Sequence, residues 1–226
     1  MEKFNIAIDG PAGAGKSTIA RLVAGALDFV YVDTGAMYRA VTWKINSAGL
    51  SPEQTSEMIA LTERMNIRLV PGENGQMVYV DGEDVTGVIR TADITGNVSR
   101  VASIADIRRI LTVKQKEMAA SRGVVMDGRD IGTHVLPDAE VKIFLTASVQ
   151  IRAERRYKEI RDSQPEITLE RLERDIAERD RMDEQREAAP LMQAPDAVLL
   201  DTTELTVPEV VERILELCKS HVGGGT

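Results

Sequence analysis

Gly10-Pro11-Ala12-Gly13-Ala14-Gly15-Lys16-Ser17 is the stretch of this sequence that decides the fold, because it matches G-x-x-x-x-G-K-[ST] in full. The apolar run Phe4–Ile8 precedes it, and the helix-compatible run Thr18–Leu27 follows it. In such a strand, turn and helix, glycines let backbone N–H groups turn inward around a phosphate, and the helix presents its positive dipole end to the same anion. We therefore predict an α/β protein that binds a nucleotide.

Two side chains of this loop have a predicted chemical role. Lys16 can bridge the β- and γ-phosphates as a point charge, and the Ser17 hydroxyl is the expected protein ligand of Mg²⁺. The loop alone does not choose between a kinase, a GTPase and a motor ATPase.

The remaining apolar runs have the length of buried strands, and helix-length segments separate most of them, as a parallel sheet covered by helices requires. The predicted strands are Phe4–Ile8, Phe29–Val32, Val124–Met126, Val141–Leu145 and Ala197–Leu200. The predicted helices are 16–27, 35–47, 91–121 with a break near 104, 148–162, 168–187 and 207–220. Capping residues predict helix starts at Thr168 and at Ser51-Pro52-Glu53.

A segment from about 66 to 90 has a different pattern. Short apolar stretches alternate there with Pro71-Gly72, Asn74-Gly75 and Asp81-Gly82, which are typical of tight turns between antiparallel strands. We interpret this segment as a small β insert in a single domain of residues 1–226.

Composition restricts the class of function. The 28 Lys and Arg residues against 36 Asp and Glu residues give a net charge of −8, which disfavours a general role in binding DNA or RNA. One cysteine and two histidines provide neither a disulfide nor a zinc site. Neither an export signal nor a run of about 18 apolar residues is found, so we expect a cytoplasmic protein that does not enter a membrane.

The acids and the arginine that follow the third predicted strand argue for a kinase. Val124–Met126 is followed by Asp127-Gly128-Arg129-Asp130, and an arginine there suits an anionic acceptor better than it suits water activation. A guanine-reading Asn-Lys-x-Asp segment is missing from the late part of the chain, which disfavours a regulatory GTPase.

Phosphoryl transfer between two nucleotides needs many cations around two anions, and arginine pairs phosphate oxygens two at a time. Besides Lys16, the candidates are Arg39, Arg108, Arg129, Arg152, Arg155, Arg156, Arg179 and Arg186. Arg179, Asp183 and Arg186 are spaced i, i+4, i+7, so they share one helix face and could place two guanidinium groups around a carboxylate. A surface ladder of ion pairs explains the same spacing equally well.

Several motifs together resemble the bacterial cytidylate kinases of the nucleoside monophosphate kinase group. The resemblance covers essentially the whole chain in the right order. The motifs are Ile8–Thr18, Asp33-Thr34-Gly35-Ala36-Met37-Tyr38-Arg39, Gly82–Gly87 with Ile89-Arg90-Thr91, Asp127–Thr133, and Glu178–Arg181 leading to Ala189-Pro190-Leu191.

This resemblance implies a three-layer α/β/α fold with a five-stranded parallel sheet and the small antiparallel insert. It also implies a monophosphate-binding region at 66–100 and a short, mobile helical lid at 153–167. The implied reaction is phosphorylation of CMP or dCMP by ATP with Mg²⁺, in a protein that we expect to be a monomer and to act on no nucleic acid.

The resemblance also implies site residues. ATP would be held by Gly10, Pro11, Ala12, Gly13, Ala14, Gly15, Lys16, Ser17 and Thr18. Arg39 and Arg129 would bind the acceptor phosphate, and Ser99, Arg108 and Asp130 would read the cytosine edge. Thr34, Arg179, Asp183 and Arg186 would line the sugar and phosphate, and Lys16, Arg129, Arg152, Arg155 and Arg156 would act in catalysis.

Asp130 carries the predicted base specificity. A carboxylate facing the N4 amine of cytosine accepts a hydrogen bond, whereas uracil presents a carbonyl at that position. Two rival functions stay open: a kinase for a uridine or thymidine monophosphate or for a non-nucleotide alcohol, and an ATP-binding regulator without catalytic activity.

Overall fold

Five parallel strands form the central sheet of the computed structural model, which describes residues 3–72, 75–162 and 164–223. The strands of the whole structure are β1 Asn5–Asp9, β2 Val30–Asp33, β3 Ile67–Gly72, β4 Gly75–Val80, β5 Glu83–Asp84, β6 Val124–Gly128, β7 Val141–Thr146 and β8 Val198–Asp201. The parallel sheet has the order β2-β6-β1-β7-β8. All five predicted strands are confirmed, each with ends within about two residues of the prediction.

Eight α-helices surround the strands in the described residues. They are α1 Lys16–Leu27, α2 Thr34–Ser47, α3 Thr55–Arg64, α4 Ala92–Ala102, α5 Ala105–Ala119, α6 Val149–Ile160, α7 Leu169–Gln185 and α8 Val207–Gly223. The predicted break near 104 separates α4 from α5, and the Thr168 side chain caps α7 by accepting a hydrogen bond from the Arg171 N–H. No helix in these described ranges is long and apolar enough to cross a membrane.

The predicted helix start at Ser51-Pro52-Glu53 is wrong. The Gln54 N–H donates to the Ser51 carbonyl across 3.0 Å, and the Gln54 side chain accepts from the Ser51 N–H, so these residues form a turn of their own. Helix α3 begins at Thr55 only after this turn. The local turn bonds therefore compete successfully with an earlier helix start.

Helices cover both faces of the parallel sheet. On one face, α1 and α8 pack against β1 and β7 in a core that includes Ile6, Ile143 and Ile214. On the other face, β6 and the end of α5 form a core with Met126 and Ala119. The three-layer α/β/α prediction is thereby confirmed.

The predicted insert is a separate antiparallel sheet of β3, β4 and β5. Val78 and Val80 of β4 are fully buried against α2 and α5 in a third core. The Gln76 side chain also ties β4 to the central sheet, because its amide donates to the Tyr31 carbonyl at 2.5 Å and accepts from the Asp33 N–H at 3.0 Å.

Sheet register places the carboxyl ends of three neighbouring strands side by side. Asp33 of β2 pairs with Asp127 of β6, and Asp9 of β1 pairs with Gly128. Open α/β sheets bind their ligands at this edge. The acids and arginines that follow these strands therefore converge there.

Candidate active site

The glycine-rich loop between β1 and α1 has a backbone that only glycine tolerates. Gly10 has φ 148° and Gly15 has φ 83°. A Cβ on Gly10 would also collide with the backbone carbonyl oxygen of Leu145 in β7. The loop is thus pressed against the sheet, and its glycines place no side chain between the loop backbone and a ligand.

The start of α1 is arranged for an anion. Gly15 occupies the N-cap position, and the N-cap makes no side-chain hydrogen bond to the first turn. Lys16 is buried with 6% exposure, and its Nζ donates to the Pro11 carbonyl at 2.7 Å. Burial and then the nearby Arg129 guanidinium hold the pKa of Lys16 well below its ordinary value, so the charged lysine is disfavoured until an anion binds beside it.

Ser17, the predicted Mg²⁺ ligand, lies beside Asp127 at one edge of the loop. The Ser17 hydroxyl donates to Asp127 Oδ2 at 2.9 Å, and Asp127 has 3% exposure. Burial, together with the neighbouring Asp33 charge, raises the pKa of Asp127 to about 6.

These residues suit Mg²⁺, a hard cation that binds through one or two carboxylates, substrate phosphates and water rather than in an all-protein cage. Ser17 and Asp127 supply two adjacent oxygen donors. Residues 3–72, 75–162 and 164–223 contain no group of three or more His, Cys, Asp and Glu residues that could hold a metal by themselves.

Asp9 fixes the turn that carries Asp130. Its two carboxylate oxygens accept the N–H groups of Ile131 and Gly132 at 2.8 and 2.7 Å. These bonds anchor the π-helical segment Ile131–Val135, which the sequence pattern did not predict. Burial raises the pKa of Asp9 to about 6. Asp9 therefore acts as a structural support beside the site.

The region after β2 brings the predicted residues Thr34 and Arg39 to the same edge. Asp33 caps α2 by accepting from the Ala36 N–H, and it accepts from Arg39 Nη2 at 3.0 Å. The Thr34 hydroxyl donates to the Asp127 backbone carbonyl at 2.7 Å. Helix α2 is thus fixed directly against β6.

Arg108, Asp130 and Arg186 form a second buried group of charged side chains. Arg108 Nη2 donates to Asp130 Oδ2, and Arg186 Nη2 lies 3.6 Å from Asp130 Oδ1. The Arg108 guanidinium also stacks over the Tyr38 ring, 5.2 Å from its centroid. The structure therefore brings these three predicted residues together. Ser99 is buried on α4.

Asp183 lies among the other predicted arginines. Arg129 Nε donates to Asp183 Oδ2 at 2.8 Å, and Arg186 Nη1 lies 3.8 Å from Asp183 Oδ1. Burial raises the pKa of Asp183, but Arg129 and Arg179 outweigh it and hold this pKa below its ordinary value. Since Asp183 has 4% exposure, the surface ion-pair interpretation of Arg179, Asp183 and Arg186 is wrong.

Several guanidinium N–H groups in this cluster point at no acceptor. The described residues contain five buried side-chain nitrogen atoms without a hydrogen-bond partner, and four of them are Arg39 Nε, Arg108 Nε, Arg179 Nε and Arg186 Nη2. Burial lowers the pKa of Arg179 to about 10, with Arg129 adding to the effect. Unpaired buried donors of this kind are costly unless a ligand accepts them.

The three arginines of α6 do not converge in this structure. Arg152 is buried and donates to the Ala147 and Ala12 carbonyls and to Asp180. Arg155 binds Thr202 beyond β8, and Arg156 pairs with Glu159 on the surface. Their shared catalytic role stays a prediction.

Comparison with known proteins agrees with this geometry. The sequence model of the cytidylate kinase family matches residues 6–220. The chain belongs to the cytidylate kinase family. The cytidylate kinase of Geobacillus kaustophilus (strain HTA426) is 50% identical over 221 residues, which cover 98% of this chain and 99% of that protein. The cytidylate kinase of Ligilactobacillus salivarius (strain UCC118) is 53% identical over the same share of both chains.

A solved structure adds support for the fold alone. An uncharacterized protein from Eubacterium ventriosum has a TM-score of 0.52 and 10% identity, covering 97% of this chain and 99% of that chain. The resemblance to the cytidylate kinase family that the motifs predict is therefore confirmed in family and in fold.

The sequence analysis gave no role to three residues that lie at the site of this cytidylate kinase family member. Asp127 follows a buried strand, so its position was a signal for a metal-binding acid. Asp180 accepts from the Ala12 N–H at 3.1 Å and from Arg152 at 2.6 Å, which ties α7 to the phosphate loop. Tyr38 lies under Arg108. The last two contacts carry no signal in the sequence pattern, because they join residues far apart in the chain.

Proposed function

We propose that this chain transfers the γ-phosphoryl group of ATP to CMP and dCMP, giving ADP and CDP or dCDP. The observation that carries this proposal is the cluster of buried arginines with unpaired N–H groups. It lies at the same sheet edge as the phosphate loop, so an acceptor phosphate bound there would face the triphosphate of ATP. An anionic acceptor would accept the missing hydrogen bonds and so offset the cost of burying these arginines.

The donor half of the proposed site is the loop Gly10–Thr18. Its N–H groups and the N-terminus of α1 would bind the triphosphate, and Lys16 would exchange its bond to the Pro11 carbonyl for phosphate oxygens. Ser17 and Asp127 would hold Mg²⁺, which when bound neutralises charge on the transferring phosphoryl.

The acceptor half uses the arginine cluster. Arg39 and Arg129 would bind the acceptor phosphate, while Thr34, Arg179, Asp183 and Arg186 would line the sugar and phosphate. Ser99, Arg108 and Asp130 would read the base. The Asp130 carboxylate is an acceptor held by two arginines, so it suits the N4 amine of cytosine and repels the corresponding carbonyl of uracil.

The proposed step needs no side-chain base. An oxygen of the acceptor phosphate, already an anion near neutral pH, attacks the γ-phosphorus. The bond from that phosphorus to the β,γ-bridging oxygen breaks, and ADP leaves with the electron pair. The insert at 66–100 and the lid at 153–167 would exclude water. Arg155 and Arg156 lie within the lid and Arg152 directly precedes it, and all three would act in catalysis.

One chain supplies every group in this proposal. The active form in this proposal is the monomer, since the reaction needs no residue from a second copy. Light scattering on a size-exclusion column tests this part independently of activity.

A panel of acceptors tests the whole proposal. ADP release would be measured with CMP, dCMP, UMP, dTMP, AMP, GMP and a sugar alcohol at matched concentrations. The highest kcat/KM is expected for CMP and dCMP. A higher value for another acceptor would favour the rival small-acceptor kinase, and tight ATP binding with no ADP release from any acceptor would favour the regulator.

A further inference from the structure

Tyr31 has no role in the proposed reaction, yet its phenol contacts the acid next to the metal-binding serine. The Tyr31 hydroxyl donates to Asp127 Oδ1 at 2.9 Å. Ser17 donates to the other oxygen, Oδ2, also at 2.9 Å. Each oxygen of this buried carboxylate therefore has its own side-chain donor.

One donor on each oxygen fixes the orientation of the carboxylate. Rotation about the Cβ–Cγ bond of Asp127 would break at least one of these bonds in a buried environment, where an unmade bond to a charged group is costly. With Tyr31 holding Oδ1, Oδ2 stays directed at Ser17. Ser17 is the first residue after Lys16, so Oδ2 faces the phosphate-binding side.

Two further contacts fix the position of Tyr31 itself. In the parallel pairing of β2 with β6, Tyr31 lies opposite Val125, two residues before Asp127. The Gln76 amide of the insert donates to the Tyr31 carbonyl at 2.5 Å. The backbone under the phenol is thus held both by the sheet and by the insert.

The phenol also faces the cleft rather than only the core. It lines a cavity of about 600 Å³ together with Ser17, Asp33 and Arg90. A purely apolar packing role would not require a hydroxyl at this wall, and Tyr31 is only partly buried there.

We infer that Tyr31 is a positioning residue for Mg²⁺ binding, because its hydroxyl orients the Asp127 carboxylate toward Ser17 and the nucleotide phosphates. This inference rests on the proposed function, which requires Mg²⁺ at Ser17 and Asp127. Hydrogen-bonding partners that orient a metal-binding carboxylate affect metal affinity without contacting the metal.

The variant Tyr31→Phe tests this role, since it removes one hydroxyl and keeps the ring. Calorimetry would measure the affinity for a non-hydrolysable ATP analogue with free Mg²⁺ and with EDTA. In Tyr31→Phe the gain in affinity caused by Mg²⁺ is expected to be about tenfold smaller than in the wild type. The affinity in EDTA is expected to stay at the wild-type value, as are both affinities in the control Tyr79→Phe.

An unchanged gain from Mg²⁺, or an equal loss of affinity in EDTA, would overturn the inference. The double variant Tyr31→Phe/Asp127→Asn should bind the Mg²⁺ complex as weakly as Asp127→Asn alone, and a further loss would also overturn it. Wild-type protein that binds the analogue with Mg²⁺ but phosphorylates no CMP would refute the proposed function, while the Tyr31 comparison would still give its own answer.

Discussion

The Ser17 hydroxyl and the Asp127 carboxylate lie 2.9 Å apart, although 110 positions separate them in the chain. Ser17 belongs to the first turn of α1, and Asp127 belongs to β6, the neighbour of β1 in the sheet. This contact joins the phosphate loop to the end of β6. The donor site therefore depends on sheet register as much as on the loop motif.

Removal of the Lys16 charge is expected to lower activity without lowering stability. Lys16→Met should lower kcat by about 100- to 1,000-fold, because this lysine would stabilise charge on the transferring phosphoryl. The same variant should keep or raise the melting temperature, since burial and Arg129 disfavour the charged lysine in the empty protein.

Steady-state assays and thermal unfolding would check both parts of the Lys16 prediction. The matched control is Lys116→Ala, which changes an exposed lysine on α5. A Lys16→Met protein with wild-type turnover would contradict the catalytic role, and a markedly lower melting temperature would contradict the cost of burying this charge.

Asp130→Ala is expected to reduce kcat/KM for CMP at least about tenfold more than for UMP, because cytosine would offer its N4 amine to this carboxylate where uracil has a carbonyl. The ratio between the two substrates is the useful quantity. Loss of Asp130 also leaves Arg108 and Arg186 without their shared acid, so both substrates will lose some activity through destabilisation. Equal losses on CMP and UMP would refute base reading by Asp130.

Nucleotide binding should depend on pH through Asp127, whose pKa is raised to about 6 by burial and by Asp33. Mg²⁺ binds the ionised carboxylate, so the gain in nucleotide affinity caused by Mg²⁺ should be complete above about pH 7. Below about pH 6 it should fall up to tenfold per unit as Asp127 becomes protonated in the empty protein. Calorimetry across this range measures it.

Asp127→Asn is the control for this pH dependence. The asparagine side chain cannot ionise, so any pH dependence of the Mg²⁺ effect that remains in this variant comes from other groups, such as the nucleotide phosphates or Asp9. If the wild type and Asp127→Asn showed the same pH profile, the titration would not belong to Asp127.

Gly10→Ala is expected to destabilise the fold by about 3 kcal/mol, since a methyl group would collide with the Leu145 carbonyl at a φ of 148°. Gly25→Ala is the matched control. Gly25 is exposed within α1 and has open space around it, so alanine there should stabilise the protein by about 0.5 to 1 kcal/mol. Urea unfolding of both variants would show whether the two changes have opposite signs, and a stable Gly10→Ala protein would contradict the close approach of loop and sheet.

Of the arginines of α6, Arg156 is expected to affect catalysis without affecting stability. Arg156 forms an ion pair with Glu159, and its side chain is 40% exposed, so leaving that pair should cost little. Arg156→Ala should lower kcat with little change in unfolding free energy. Arg152→Ala should also lower stability by about 3 kcal/mol, because it leaves buried Asp180 without its partner.

Activity assays and urea unfolding would be compared directly between Arg156→Ala and Arg152→Ala. Wild-type kcat in Arg156→Ala would remove that residue from the catalytic set. Unchanged stability in Arg152→Ala would contradict the structural part of its role.

The parts of the fold that follow from local patterns were predictable. The glycine spacing of 10–15 and the apolar runs of the five parallel strands depend on neighbours within a few residues, and all of them are confirmed. Errors arose where local alternatives compete, as at Ser51–Gln54, or where tertiary anchoring creates an element, as when Asp9 holds the π-helical segment Ile131–Val135.

The sequence by itself determined the phosphate loop, the strand set and the inventory of acids and arginines, because each depends on residue type and short spacing. Only the tertiary structure decided which acid each arginine pairs with. The spacing of Arg179, Asp183 and Arg186 suggested that these residues pair with one another, yet the nearest cation to Asp183 is Arg129, 54 positions away. Sheet register and helix packing set such distances, and no local pattern in the chain encodes them.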